Sequence, residues 1–534
     1  MARRTRTPRT RGTEIQHAAY VDHGVGEPGA PAKGRMERML DTIERVGNKV
    51  PHPAIIFVLL IGIVMVLSHI FYMLGVSASY ESIDADTGEV EILTTNAQSL
   101  LTADGIRFIY EGIVSNFMSF TATGVIIVAM LGVGVAEESG LIAALIRKLV
   151  AVAPAAAMTY ILVFIGIISS IAADAGYLVL IPLAAAAFMS LGRHPLAGLA
   201  ASFAGVAAVF SVNILVKPLD GILVGITNDA IHTLDSSVSI GLTANFWFSV
   251  ASVLLLTIVV AVVTERIVEP RLGTYTGERP AGEDVATTEE QRGLKFALWG
   301  FLGALAFLLL LSLPPGAPLR NPETGALIGD SPFMNGLIFT IMLLFLAAGW
   351  GYGKGAGTLR TSVQVIAAME KAIKGLAGLI LLLFIISQFL ALFTYTNMAT
   401  LAAVKLGDVL ETAGLGPLPL LIGFILVIVL LDLIMTGAIP KWAIFAPVFV
   451  PLLMRLNVDP EAVLAAYRVA DSPINAISPL NAYFALIVSF AVKYDPKAGV
   501  GTVIALMLPY VLIVLVVWTL LFIGWQVAGL PWGF

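Results

Sequence analysis

Residues 181–203 and 446–468 are two versions of one segment, 265 positions apart. IPLAAAAFMSLGRHPLAGLAASF lies over APVFVPLLMRLNVDPEAVLAAYR, setting Pro182 on Pro447, Leu191 on Leu456, Pro195 on Pro460 and Leu199-Ala200-Ala201 on Leu464-Ala465-Ala466. The second copy runs on to Asn481. It is apolar enough for a bilayer, yet is broken by Pro447, Pro451, Pro460, Pro473 and Pro479 and carries Arg468 and Asp471 within one helical turn. A plain membrane anchor has neither feature. Two repeats, each with a proline-interrupted apolar segment beside ionisable residues, mark a transporter-like architecture whose binding site lies where helices break.

The rest of the chain supplies the membrane context. Hydrophobic residues make up 58% of it and charged residues 13%, against roughly a quarter charged in soluble domains. Val50 to Tyr80 holds no Lys, Arg, Asp or Glu, and a helix needs about 20 apolar residues to cross the hydrocarbon. Further stretches without formal charge run over residues 112–136, 149–173, 236–263, 296–319, 331–353, 375–404, 412–431 and 500–534. Two interrupted zones, 175–216 and 433–494, belong to the repeats. The expected fold is therefore all-α and polytopic, with about nine transmembrane helices plus two re-entrant helical hairpins and no strand-rich domain.

Domain boundaries follow from composition. Residues 1–34 read as a disordered cytoplasmic tail, and 35–264 as the first repeat with its hairpin near 175–192. Residues 265–295 are a polar linker, and 296–534 the second repeat with its hairpin near 433–455. Arg35 to Lys49 places Met36, Met39, Leu40, Ile43 and Val46 on one stripe, suiting a helix that lies on the membrane surface. The first fifty residues hold ten Lys or Arg, whereas Ser77 to Ile106 carries six acidic residues and no Lys or Arg. The positive-inside rule then sets the amino terminus in the cytoplasm. No apolar signal-peptide core follows the early arginines. The net charge of −5 resides mostly in ends and loops and gives no basic domain for nucleic acid. Cysteine is absent, which excludes disulfides, thiolate metal sites and a cysteine nucleophile. Nor is there an H-E-x-x-H pair or a G-x-S-x-G elbow, so an enzyme is not expected.

Candidate site residues cluster at the breaks. Asp174, in SSIAADAGY, either caps a helix or holds a cation or proton. Ser211-Val212-Asn213 in the first half and Asp471-Ser472-Pro473-Ile474-Asn475 in the second close apolar segments. Helices broken there would offer free carbonyls and the Asn213 and Asn475 amides to a small hard cation such as sodium, and free N–H groups to a carboxylate. Ordinary capping at a membrane loop is the simpler alternative. Arg468 and Asp471 lie three apart and are placed to pair, while a guanidinium also grips a substrate carboxylate with two parallel bonds. Asp432, in the apolar run LVIVLLDLIMTGAIP, needs a proton, a cation or a partner. Trp442 would stack on an aromatic substrate or sit at the membrane interface; spacing alone favours the interface. Lys217 and Asp220 read as a local pair or a membrane-surface charge.

These motifs resemble the AbgT, or p-aminobenzoyl-glutamate transporter, family. The resemblance extends from Glu44 to the carboxyl end through ERVGNKVP (44–51), the run Ala172 to Tyr177, GRHPLAG (192–198), KWAI (441–444) and AYRVADS (466–472). It implies a bacterial inner-membrane homodimer of the ion-transporter superfamily, each protomer with nine spanning helices and two opposed hairpins in an inverted repeat. Substrate-path residues fall on Asp174, Trp442, Pro460 and Arg468, and sodium ligands on Asp432 and Asp471. The implied function is uptake of a p-aminobenzoyl-glutamate-like anion, or else proton-driven export of sulfonamide antimetabolites. No cofactor beyond a coupling sodium ion or proton is implied. The sequence departs from the family pattern at three places: Asp432-Leu433-Ile434-Met435 stands where an Asn-led run is expected, Ala208 to Asn213 where a Gly-Gly-Phe-Ser-Ala-Asn-like turn is usual, and Lys217 where Gly is common.

Overall fold

A computed structural model describes residues 53–83, 90–171, 176–275, 288–328, 331–412, 416–432, 437–481 and 483–534. The basic tail, the surface helix expected over 35–49 and Asp174 lie outside these residues. The chain starts with α1 (Pro53–Met73), then an antiparallel ribbon of β1 (Ser77–Ile83) and β2 (Val90–Asn96) with Ser77 opposite Asn96. The Thr, Val and Ile of this acidic stretch suit a two-stranded ribbon. Helices α2 (Ala103–Ser119) and α3 (Thr121–Glu138) follow, and Thr102 Oγ1 caps α2 by accepting from the Gly105 N–H. After α4 (Leu141–Ala151), Pro154 turns the chain into α5 (Met158–Ile168), the two stretches meeting at 116°.

The first copy of the repeat is a π-helical turn Gly176–Leu180 leading into α6 (Ile181–Ser190), then α7 (Pro195–Phe203), which ends in a π-helical turn at Ala204–Ala208. Helices α8 (Pro218–Ile231) and α9 (Phe246–Val263) complete that half. The second half begins with α10 (Thr288–Ser312), which starts inside the stretch expected to be linker, and continues through α11 (Leu337–Ala356), α12 (Ser362–Gly375), α13 (Ala377–Tyr395) and α14 (Met398–Thr412). It closes with α15 (Pro417–Asp432), α16 (Ala438–Arg455), α17 (Pro460–Ile474), α18 (Phe484–Val492) and α19 (Val500–Val527). Among the described residues eight helices are long and apolar enough to cross a membrane, or nine if the bent pair around Pro154 counts as one span.

Within the stretch where the second hairpin is expected, near 433–455, Ala438–Arg455 form one continuous helix. Pro447 and Pro451 sit inside α16 without ending it; in an apolar, packed setting neighbouring helices hold a proline-containing helix together. The chain reverses after it, at 456–459, as it does at 191–194 in the first copy. Both reversals use the same bonds. Arg193 N–H donates to Phe188 O at 2.9 Å and Val458 N–H to Leu453 O at 3.0 Å; Gly192 donates to Met189 O and Asn457 to Met454 O, both at 3.0 Å. The left-handed residues are Gly192 (φ 73°) and Asn457 (φ 57°), again 265 apart. Glycine meets no steric cost there, and Asn is among the few side chains that visit this region.

Helices α7 and α17 occupy the centre. Every residue from Pro195 to Val209 and from Ala462 to Ile474 is buried, as expected of helices apolar on most sides. Helix α5 packs on α7, α15 on α17, and α9 crosses against α19. Gly166 and Gly205 let α5 approach closely: a Cβ on Gly205 would lie 2.8 Å from Val163 O. Outside this core, α10 packs on α11 and α11 on α3, while α13 packs on α1 and α2. The outward faces of these helices are apolar, with Trp299, Val114 and Met118 all exposed, which suits lipid rather than water.

Candidate functional site

The two copies of the repeat end at matching places, Ala208 and Ile474, and the chain beyond each end is not helical. A helix that stops inside a protein leaves its last carbonyls without intrahelical partners. Just beyond the end of the first copy, cations take two carbonyls of the loop. Lys217 Nζ donates to Phe210 O, and Arg468 Nη1, reaching over from α17, donates to Ser211 O at 2.7 Å. Arg468 Nη1 also donates to Asp220 Oδ1 at 2.6 Å and its Nε to Asn245 Oδ1 at 3.1 Å. No hydrogen bond reaches Arg468 Nη2 among the described residues. The hydroxyls of Ser211 and Ser472 bond to each other, and Ser472 Oγ donates to Arg468 O at 2.9 Å. The breaks of both repeats therefore meet at one arginine.

Helix α8 delivers Asp220. Pro218 occupies the first turn, and Asp220 Oδ2 accepts the Lys217 N–H at 2.8 Å, the second half of a capping arrangement. A carboxylate is favoured at that positive helix end. Asn213 braces the same loop: its Nδ2 donates to Ile168 O at 3.0 Å and Ser170 Oγ at 3.1 Å, and its Oδ1 accepts the Leu215 N–H at 3.2 Å. Asn213, Val216, Asp220, Asn245, Ser249 and Arg468 line a small, partly open cleft.

A second charged group lies deeper. Lys441 of α16 is fully buried and bridges two carboxylates, Asp432 at the end of α15 and Asp471 of α17, the latter at 2.5 Å. Tyr467 supports it, donating to Ala438 O at 2.5 Å with Asp471 Oδ1 at 3.2 Å. Each carboxylate uses one oxygen on the ammonium. Asp432 Oδ2 and Asp471 Oδ2 are buried with no hydrogen-bond partner among the described residues. Trp442, beside Lys441, is wholly buried; its Nε1 donates to Thr227 Oγ1 at 3.0 Å and Leu223 O at 3.2 Å, and its ring lies 4.6 Å from that of Tyr467.

Several sequence expectations change here. Arg468 and Asp471 do not pair: the guanidinium goes to Asp220 and the carboxylate to Lys441. Their three-residue spacing permits contact, but partners on crossing helices offer better geometry. Lys217 and Asp220 are not a surface pair. Both are buried, and Asp220 bonds the backbone of Lys217 while its other oxygen faces Arg468. Trp442 is an interior residue, not an interfacial one. Pro460 is the first residue of α17, about 12 Å along the axis from Arg468. Asn475 Nδ2 donates to Asp471 O at 2.7 Å, tying it to the second break. Sequence analysis gave Lys441 and Asn245 no place in the site, and it marked Ser211 and Ser472 only as members of the two breaks. The signal for Lys441 was available: an ammonium in an apolar segment nine positions after a buried Asp needs a partner.

A helical membrane protein built from two copies of a broken segment, whose breaks meet at buried charges, has the architecture of a secondary transporter. The chain belongs to the AbgT family, since the model of the "AbgT putative transporter family" matches residues 38–534. It is 34% identical over 503 residues to the p-aminobenzoyl-glutamate transport protein of Escherichia coli K12, covering 94% of this chain and 97% of that one. Its fold is similar to the Alcanivorax borkumensis YdaH transporter, with a TM-score of 0.85 and 41% identity over 90% of this chain and 100% of that one. It is equally similar to Neisseria gonorrhoeae MtrF, described with a class of antimetabolite efflux pumps, at a TM-score of 0.85 and 39% identity over 91% of this chain and 97% of that one.

Proposed function

We propose that this protein is a secondary active transporter that moves a folate-related anionic aromatic substrate, p-aminobenzoyl-glutamate or a close analogue, across the bacterial inner membrane in exchange for the energy of a sodium gradient. The observation that carries this reading is Arg468: a buried guanidinium at the junction of both repeats, lining a pocket, with one amino group unpartnered. Such a group grips a carboxylate through two parallel bonds. Membership of a transporter family with a curated p-aminobenzoyl-glutamate relative supports the choice of substrate.

Formal charge supports co-transport with a cation. Lys217, Arg468 and Asp220 together leave one positive charge around the pocket, and Asp432, Asp471 and Lys441 leave one negative charge beneath it. One substrate carboxylate would balance the first group and one monovalent cation the second. The unpartnered Asp432 Oδ2 and Asp471 Oδ2 are suitable hard oxygen ligands for sodium. Transport then proceeds by alternating access, with the two repeats rocking about the shared junction. The functional unit is a homodimer with its amino terminus in the cytoplasm.

A second reading, proton-driven efflux of sulfonamide-type antimetabolites, draws on the likeness to MtrF. Uptake of radiolabelled p-aminobenzoyl-glutamate into proteoliposomes separates the two. The proposal expects accumulation under an inward sodium gradient and none with potassium. Movement driven by a pH gradient without sodium would replace it with the efflux reading.

A further inference from the structure

Lys217 is a buried cation whose ammonium bonds no carboxylate among the described residues. Its side chain is 1% exposed, and there the ammonium donates to neutral groups, Phe210 O and, at 3.4 Å, Ser170 Oγ. Three residues on, Asp220 holds one oxygen on the Lys217 N–H at 2.8 Å and sends the other to Arg468, not to the nearby ammonium. Burying an unpaired charge is costly, and of these three charges it is the Lys217 ammonium that bonds no counter-ion among the described residues. Arg468 keeps its Nη2 free beside the pocket.

We propose that Asp220 and Lys217 form a counter-ion exchange at the substrate arginine: an incoming carboxylate takes the place of Asp220 on Arg468, and the released Asp220 oxygen pairs with the Lys217 ammonium. This rests on the reading above that the substrate carries a carboxylate. Before binding, Asp220 pairs with Arg468 and not with the Lys217 ammonium. Afterwards each cation has its own. The change asks little of the backbone, because the Lys217 N–H keeps Asp220 anchored through its other oxygen at the start of α8. A neutral analogue cannot drive it, since nothing would replace Asp220 on the guanidinium. The exchange thus makes Lys217 and Asp220 positioning residues that select for anions.

The alternative is that Lys217 only satisfies the Phe210 carbonyl at the helix break. A double-mutant cycle on the purified full-length protein distinguishes them, with p-aminobenzoyl-glutamate affinity measured by calorimetry. The exchange predicts that Lys217→Met weakens binding about tenfold or more, the size of one charged hydrogen bond. It predicts that Asp220→Asn does not weaken binding, and that Lys217→Met added to Asp220→Asn has little further effect. The same loss in both backgrounds overturns it, as does unchanged affinity in Lys217→Met. Should Asp220→Asn fail to fold, Lys217→Arg decides: parent-like affinity there, against the loss in Lys217→Met, supports the exchange, and equal affinities in the two variants overturn it. A parent protein that binds no p-aminobenzoyl-glutamate would remove the transport reading along with the exchange, an outcome distinct from an additive cycle.

Discussion

The helix pair 181–203 and its copy 446–468 share a reversal, bond for bond, but bury different chemistry. Arg468 of the second copy stands where the first has Phe203; Asp471 corresponds to Val206 and Lys441 to Gly176. The first copy is filled with apolar side chains and contributes backbone carbonyls at its break, along with the loop that leads to Lys217 and Asp220. The second contributes Arg468, which reaches across to the Ser211 carbonyl, and the paired Lys441 and Asp471. One scaffold segment has thus been specialised twice, once for acceptors and once for ionic groups. The fold lies in the shared turn and glycine-like positions, while the candidate site lies in the positions where the copies disagree.

The largest effect is expected at Lys441. Lys441→Met leaves Asp432 and Asp471 buried without a cation and should cost about 3–5 kcal/mol, read as a fall in thermal unfolding temperature in detergent; adding Asp432→Asn should recover much of it. If Lys441→Met unfolds with the parent, the bridge is not structural. Next come Phe203 and Arg468, the same position in two copies. Phe203→Ala should lose about 3–4 kcal/mol as a core cavity yet keep substrate affinity in the folded fraction, whereas Arg468→Ala should lose binding. Equal binding losses would erase the division between the copies.

A smaller effect is expected at the first turn, which carries an ion pair the second lacks. Arg193 holds Glu269 through Nε at 2.9 Å and through Nη2, while Val458 occupies the matching place. Arg193→Ala should destabilise by about 1 kcal/mol, because the pair is partly solvated. The smallest differences belong to the left-handed residues. Gly192→Ala and Asn457→Ala should each cost about 1 kcal/mol, and Asn457→Gly should be neutral within a few tenths. A large loss in Asn457→Gly would mean that the Asn side chain, not its backbone, shapes the turn.

Much of the fold was legible in the sequence because membrane helices announce themselves by uncharged length and the repeat by its shared prolines and leucines. The ribbon 77–96 was not, since acidic residues masked its alternation. Helix α16 was misread because prolines end helices in water more readily than in a packed bundle. In the site, Arg468, Asp432 and Asp471 were found by one argument, that a charge in an apolar run needs a partner. The same argument applied to Lys441, whose partners Asp432 and Asp471 stand on the two helices flanking its own in sequence, and to Asp220, whose partner Arg468 lies 248 positions along the chain. Pairing of that kind is set by how α8, α15, α16 and α17 cross, which periodicity does not encode. Spacing along α17 suggested Arg468 with Asp471, and tertiary geometry chose otherwise.

The central claim is that a substrate carboxylate is held by Arg468 at the meeting of the two breaks. Its most direct test is equilibrium binding of p-aminobenzoyl-glutamate to the purified protein, comparing the parent with Arg468→Ala and Arg468→Lys, and with folding of each checked by thermal unfolding. The account predicts saturable binding in the parent, about a hundredfold weakening or more in folded Arg468→Ala, and partial binding in Arg468→Lys, which keeps the charge but not the two-pronged geometry. Parent-like affinity in folded Arg468→Ala would contradict it.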